Sequence, residues 1–224
     1  MQSKQLSRRE RARGTKRPSN SNQVMWPKSG PSFLETYAFD TAFTNVTSAA
    51  GVVQGTLASI PSGSGAQART GLRVTPVALQ IRLSVSASKN SEVFGNPDYE
   101  VCRARVILIQ SLYNTPAIAD VLGGAVLSVL SPYNISYVGQ GKEDAQIKVL
   151  WDKTYSFTYG ASLSSADLID IPASQMLTKQ LRYASAATAE PVHGAFYLIS
   201  ITDQSLAANM PIVVSQPRLL FHDA

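Results

Sequence analysis

From Phe33 onward, apolar and polar side chains alternate with a period near two, the spacing of a half-buried strand. Residues 36–47 (Thr-Tyr-Ala-Phe-Asp-Thr-Ala-Phe-Thr-Asn-Val-Thr) are rich in aromatic and β-branched side chains and lack proline, so they predict a strand. Ala49, Ala50 and Gly51 interrupt it. Strand character resumes at Val52 and stops at Pro61. The stretch from Pro61 to Gly71 is a loop by its Ser/Gly composition. Residues 72–88 alternate cleanly: Val77, Leu79, Ile81, Leu83 and Val85 share one face, and Gln80, Arg82, Ser84 and Ser86 the other. Pro76 predicts an edge position or a kink near the start of this strand.

A polar turn over 89–98 leads into a strand over 99–113. Val101, Arg103 and Arg105 share one parity there, and Cys102, Ala104, Val106 and Leu108 the other. One short helix is predicted next, with Thr115 as N-cap, Pro116 at the first helical position and a stop at Gly123-Gly124. Residues 126–138, broken by Pro132, fit no single pattern. Strands follow over 146–159, 176–185, 195–202 and 212–221, with a short helical turn over 164–169 before Pro172. Eight strands, one short helix and no βαβ alternation argue against a doubly wound parallel sheet. They fit an all-β sandwich or a jelly roll.

Residues 1–32 break with this pattern. Ser, Asn, Gln, Pro, Gly and basic groups dominate, and so few apolar side chains cannot offset the entropy of ordering the chain. The expected division is a disordered arm over 1–32 and a β domain over 33–224, with Trp26-Pro27 as the arm's first anchored point. Charge follows the same division. Lys4, Arg8, Arg9, Arg11, Arg13, Lys16 and Arg17 stand against Glu10 alone within the first 17 residues. The remaining 207 residues carry 13 basic and 14 acidic groups, so the arm supplies the whole formal charge of +5. No apolar run approaches the roughly 20 residues of a membrane span. The arm lacks the apolar stretch of a secretory signal, and its arginines are not interleaved with apolar residues as in an amphipathic transit peptide.

Candidate chemistry is sparse. Cys102, the single cysteine, leaves no intrachain disulfide and reads as a small core side chain. His193 and His222 have no partner at metal-ligand spacing. The Gly63-Ser64-Gly65 run lacks the strand-to-helix context of a phosphate loop and reads as surface loop. Asp167 with Asp170, and Glu143 with Asp144, could serve as paired carboxylates, but solvated loop charges are the commoner case. The expectation is a chain that is not an enzyme and carries no cofactor. The basic run is more telling. Arg and Lys at this density hold phosphate backbones through charge and counterion release. No aromatic residue interleaves them, so base stacking is not the mode. Arg outnumbers Lys five to two, which favours bidentate phosphate contact. The competing readings are a nuclear-localisation signal, a solvated tail and a membrane-surface segment.

The order of these features resembles the single jelly-roll coat proteins of the satellite tobacco necrosis virus-like group, which includes capsids of small circular single-stranded DNA viruses. A basic arm precedes the β domain, and a Gly-interrupted strand pair leads to Gln67-Ala-Arg-Thr-Gly-Leu-Arg-Val74. That run is similar to the group's Arg-x-Gly-x-x-Val/Ile loop before its fourth strand. Residues 103–110 and 114–122 resemble the fifth strand and the helix after it, and 148–158 and 194–203 resemble later strands.

The resemblance implies a viral jelly roll of eight strands, B to I, in sheets B-I-D-G and C-H-E-F. Their expected ranges are 36–48, 52–60, 72–88, 99–113, 146–159, 176–186, 194–203 and 211–222. It also implies a homo-oligomeric icosahedral T=1 virion shell of about 60 copies that self-assembles around a single-stranded DNA or RNA genome. Sixty arms of net +6 would then carry about 360 positive charges. Host-nuclear passage during assembly would fit the same arm. Calcium between subunits is a feature of the group, and Asp223 is a candidate ligand by position. Trp26, Trp151, Met210 and Leu220 are candidates for subunit contact or for core. The alternative is a cellular jelly-roll or lectin-like binding module with a nuclear-localising tail.

Overall fold

The computed structural model describes residues 35–87, 101–112, 115–124, 126–134, 146–158, 164–204 and 210–223. Two antiparallel sheets contain every strand among them. In the first sheet, β1 (Thr36–Asp40) and β2 (Phe43–Val46) both pair with β11 (Ile212–Asp223). β11 pairs with β4 (Arg73–Ser86), which pairs in turn with β7 (Ser164–Pro172) and β8 (Leu181–Tyr183). β9 (Pro191–His193) extends the sheet beyond β8. The second sheet runs β3 (Val52–Gln54), β10 (Ala195–Thr202), β5 (Val101–Ser111) and β6 (Ile147–Thr158). In jelly-roll letters the orders are B-I-D-G and C-H-E-F, so the fold is the all-β jelly roll expected from the sequence.

Alternation explains the first sheet. Along β4, Leu79, Ile81, Leu83 and Val85 are buried, while Gln80, Ser84 and Ser86 are partly exposed and Arg82 is exposed. Each fully buried aliphatic side chain contributes about 1.5–3 kcal/mol of transfer free energy. With Leu219 and Phe221 of β11, these side chains meet Ala104, Val106 and Leu108 of β5 and Phe196 and Leu198 of β10 between the sheets. The second sheet is buried on both faces at its centre. Ile107, Ile109, Tyr197 and Ile199 point away from the first sheet into another cluster with Val121 and Leu122. Those two belong to α1 (Ile118–Val121) and its C-cap, in the segment that follows β5. Hence β10 is buried at every position, and its first five residues, 195–199, read as a continuous apolar run rather than an alternating one.

Several expectations shift. The helical turn expected over 164–169 is strand β7, which pairs with β4 from Ser164↔Ser86 to Pro172↔Ala78. Ile169 and Ile171 face the core two residues apart, so the apolar period there is two, not 3.6. The strand expected over 176–186 shrinks to Leu181–Tyr183, because its pairing with β4 is confined to Arg73 and Val74. Position G is therefore filled mainly by β7. Strand C ends at Gln54, although Leu57, Ala58 and Ile60 beyond it are fully buried. The helix starts at Ile118 with Ala117, not Thr115, as N-cap. The Asp120 carboxylate accepts the Ala117 N–H at 2.9 Å, which supplies the cap from inside the first turn. Pro76 lies in a central strand and faces Phe221 where the β4–β11 register shifts, so the kink expectation holds and the edge one does not.

Gly194 joins β9 to β10 at φ +81°, a left-handed conformation. A Cβ there would lie 2.5 Å from the Gln180 carbonyl oxygen and 2.8 Å from Thr178 Cγ2. Gly194→Ala is expected to cost about 2–4 kcal/mol, from backbone strain plus the clash. The denaturant midpoint measures it, and an unchanged midpoint at constant m-value would refute the assignment.

Candidate functional site

The seven basic residues of the arm, Lys4, Arg8, Arg9, Arg11, Arg13, Lys16 and Arg17, lie outside the described residues, as do Trp26, Glu143 and Asp144. The site that can be built is the outward face of the first sheet. Register places Asp40, Arg218, Gln80 and Asp170 in one row across β1, β11, β4 and β7. The next row holds Gln216, Arg82 and Leu168. Together with Thr41, Ala42 and Pro217 these residues line a shallow groove of about 450 Å³. Arg218 donates to both Asp40 oxygens at 2.7 and 2.9 Å, and those hydrogen bonds hold the Asp40 carboxyl below its usual range. Leu168 is 74% exposed at the groove's edge. The groove thus combines the Asp40–Arg218 ion pair, two glutamines, Arg82, Asp170 and one apolar ridge.

Two buried arginines hold the loops around this framework. Arg69, from the Arg-x-Gly-x-x-Val run, has no exposed surface. It donates to the carbonyls of Gly71 (2.6 Å), Ser185 (2.9 Å) and Thr188 (2.5 Å). Its guanidinium stacks 3.8 Å from the Tyr183 ring centroid, and the Tyr183 hydroxyl donates to the Ala58 carbonyl at 3.0 Å. One side chain thus ties the loop before β4 to the turn after β8. Arg105 grips both oxygens of Asp152 at 2.9 and 2.8 Å and donates to the Ser131 carbonyl at 2.5 Å. The Tyr133 hydroxyl donates to Asp152 as well. Burial, reinforced by that carboxylate, pushes the Tyr133 pKa up to about 12, so it stays a donor. This cluster fastens the segment after α1 to the second sheet. An arginine inside the apolar run Ala104-Arg105-Val106 was the available sequence signal for it.

The remaining candidates separate. Strand geometry puts Asp167 and Asp170 on opposite faces, so they form no carboxylate pair, and neither lies in a loop. Asp167 accepts from Lys153 Nζ (2.8 Å) and the Tyr155 hydroxyl (2.5 Å) of β6, bridging the two sheets. Burial works to raise its pKa, but those hydrogen bonds and the Lys153 charge outweigh it and the net shift is downward. Asp223 accepts from Thr70 N–H (2.6 Å), Thr70 Oγ1 (2.5 Å) and Gly71 N–H (3.3 Å), which engages the carboxylate weighed as a calcium ligand. Among the described residues, no group of three or more His, Cys, Asp or Glu side chains could hold a metal ion. His222 Nδ1 lies 3.1 Å from the Glu35 carbonyl oxygen. Cys102 is buried in the core, and burial pushes its thiol pKa up to about 12. Gly63 to Gly65 lie in an exposed loop. Trp151 is half-buried against the core, and Met210 and Leu220 are likewise partly covered.

No protein-family model and no curated protein matches the sequence. Solved structures with a similar course include the empty head of turnip yellow mosaic virus, with TM-score 0.37 and 8% identity over 84% of this chain and 82% of that chain. A second turnip yellow mosaic virus structure gives 0.38 and 7% over 84% and 95%. Desmodium yellow mottle tymovirus gives 0.33 and 8% over 83% and 81%. With these TM-scores below 0.5, the jelly-roll assignment rests on the strand order itself.

Arg69→Met is expected to lower stability by about 2–4 kcal/mol, because three carbonyls lose their donor inside the fold. Equal denaturant midpoints for Arg69→Met and the parent would rule that pin out. Asp167 has a depressed folded pKa, so its stabilisation is complete above its unfolded value, near 3.9, and fades as pH falls through the lower folded value. Asp167→Asn is expected to cost about 1 kcal/mol or less at pH 7, because the Lys153 partner is solvent-exposed. The gap between the two proteins should close below about pH 4. A gap of constant size down to pH 2.5 would contradict the assignment.

Proposed function

We propose that this chain is the coat protein of a small icosahedral virus, of the satellite tobacco necrosis virus-like kind. About 60 copies assemble into a T=1 shell, and the basic arm draws a single-stranded genome inside. The observation that carries the reading is one polypeptide that joins two parts. One is a segment of net +6 within 17 residues, and the other a body with B-I-D-G and C-H-E-F strand order. The division of labour follows from charge. Outside the arm, 13 basic and 14 acidic groups nearly cancel, so many copies can pack without strong mutual repulsion. Lys4, Arg8, Arg9, Arg11, Arg13, Lys16 and Arg17 then neutralise phosphates, with guanidinium forks supplying bidentate contacts. Affinity gained by counterion release is steeply salt-dependent and indifferent to base sequence, as a packaging arm requires. The same run could pass through the host nucleus as a localisation signal before the chain reaches the virion.

Electron microscopy of the purified full chain tests assembly. Closed particles of uniform size are expected in low salt with single-stranded nucleic acid present. A persistent monomer that binds a small ligand would instead favour a cellular binding module. Deleting residues 2–17 should preserve the fold and strip nucleic acid from whatever particles form. The ratio of absorbance at 260 and 280 nm reads this, and an unchanged ratio in the deletion particles would remove the arm from packaging.

A further inference from the structure

We propose that Arg73, Arg182 and His193 form a phosphate-binding row on the folded body, which holds the sugar–phosphate backbone of single-stranded nucleic acid. The inference rests on the coat-protein reading and adds to it a fixed contact separate from the arm. Register places Arg73 of β4 directly opposite Arg182 of β8, and Arg182 directly opposite His193 of β9. The flanking row, Val74 and Leu181, is fully buried. Alternation therefore turns the basic row to the outward face of the sheet. Arg73 and Arg182 are both exposed and His193 is partly exposed.

Directly opposed side chains on a sheet have Cβ atoms about 5 Å apart, and like charges there repel. Carboxylates pair with two other strand arginines. Arg218 is in register with Asp40 and paired to it, and Arg105 is paired with Asp152. Neither Arg73 nor Arg182 has an ion pair among the described residues. Arg182 is nevertheless held in place, since Gln180 Oε1 accepts from its Nε at 3.1 Å and its Nη2 at 3.0 Å. Among the described residues neither a hydrogen bond from its Nη1 nor a carboxylate partner is present. The pKa of His193 is lowered by burial and by the Arg182 charge, which places the imidazole in the same positive field. An oxyanion between the two guanidinium groups relieves the repulsion and takes charge-assisted hydrogen bonds from both. Phosphodiester oxygens have the charge and acceptor geometry for this, and a row open to solvent admits a polymer that passes through.

The test uses the full chain and a fluorescent 20-nucleotide oligothymidylate, titrated by anisotropy across salt concentrations. Arg73→Gln/Arg182→Gln is compared with Arg103→Gln/Lys148→Gln, which removes the same charge from solvent-accessible positions in the other sheet. Two lost phosphate contacts should make the slope of log K against log salt shallower by about 1.4, with the control double variant close to the parent. Equal slopes in parent and row variant, or equal losses in both double variants, would overturn the row. If the arm still packages nucleic acid in that case, the coat-protein reading survives the failure. A second measurement does not need nucleic acid. Inorganic phosphate should raise the melting temperature of the parent above that in chloride of matched ionic strength, and should not do so for Arg73→Gln/Arg182→Gln. A phosphate-specific shift without a change in slope would make the site one for free phosphate and overturn the polynucleotide assignment. No shift in either protein, with equal slopes, would eliminate the site.

Discussion

The pairing of β4 with β11 is the constraint on which the rest of the molecule depends. These strands lie more than a hundred residues apart in sequence and run antiparallel from Ile212↔Ser86 to Asp223↔Val74. Both are interior to the sheet, so every other strand of that sheet is placed directly or indirectly by them. Side chains alternate with period two, so a slip of one residue would turn Leu79, Ile81, Leu83 and Val85 to solvent and Gln80, Arg82 and Ser84 inward. Burial of one face therefore fixes the register, and the shift at Leu220/Phe221 opposite Pro76 pins it further. The chemistry of the outward face follows from that register. Arg218 meets Asp40, Arg82 sits beside Leu168, and Arg73 meets Arg182 because of where β4 is held.

The arginines show how differently one side chain is accommodated on one scaffold. Arg69 is wholly buried and is met by three carbonyls and an aromatic face. Carbonyl dipoles can solvate a guanidinium in part, and the planar fork lets one residue reach two separate loops. Arg105 is mostly buried and has a carboxylate as well, and its remaining donors secure Ser131. Arg218 is exposed, and its ion pair with Asp40 is a surface contact of small energetic weight. The first two hold loops that no strand pairing would hold, and so extend the rigid framework beyond the sheets.

The legibility of the fold in the sequence varied with how each element is buried. The strands over 72–88 and 211–222 have one face in the core, so alternation located them to within two residues. β10 has both faces buried, and its apolar run still reads as a strand through its β-branched and aromatic content. β7 was missed because only Ile169 and Ile171 are deeply buried, and two acids three apart imitate a helical turn. Short strands such as β3 and β8 were overextended because side chains beyond their ends are also buried, and composition cannot separate a buried loop from a strand. The basic run over 1–17 is a charge pattern in the sequence and lies outside the described residues. Arg69 was legible as a motif but not as a pin, since its partners lie 116 and 119 residues away. The strand over 176–186 was expected beside 72–88, but composition does not fix the register that sets Arg182 opposite Arg73.

If the chain is a coat protein, the arm and the sheet row have different physical tasks. Counterion release from a segment of net +6 needs charge density but no defined geometry, so it supplies affinity without setting where the polymer lies. A pair of guanidinium groups held on adjacent strands supplies the opposite: little affinity, but a fixed position and direction. A near-neutral body is compatible with both, because its 13 basic and 14 acidic residues are not distributed evenly. Ion pairing at Asp40, Asp152 and Asp167 cancels charge locally, whereas Arg73 and Arg182 face each other with no ion pair among the described residues. Local cancellation, more than the total, then decides where the body can touch a polyanion, and sheet register decides which arginines are left uncancelled.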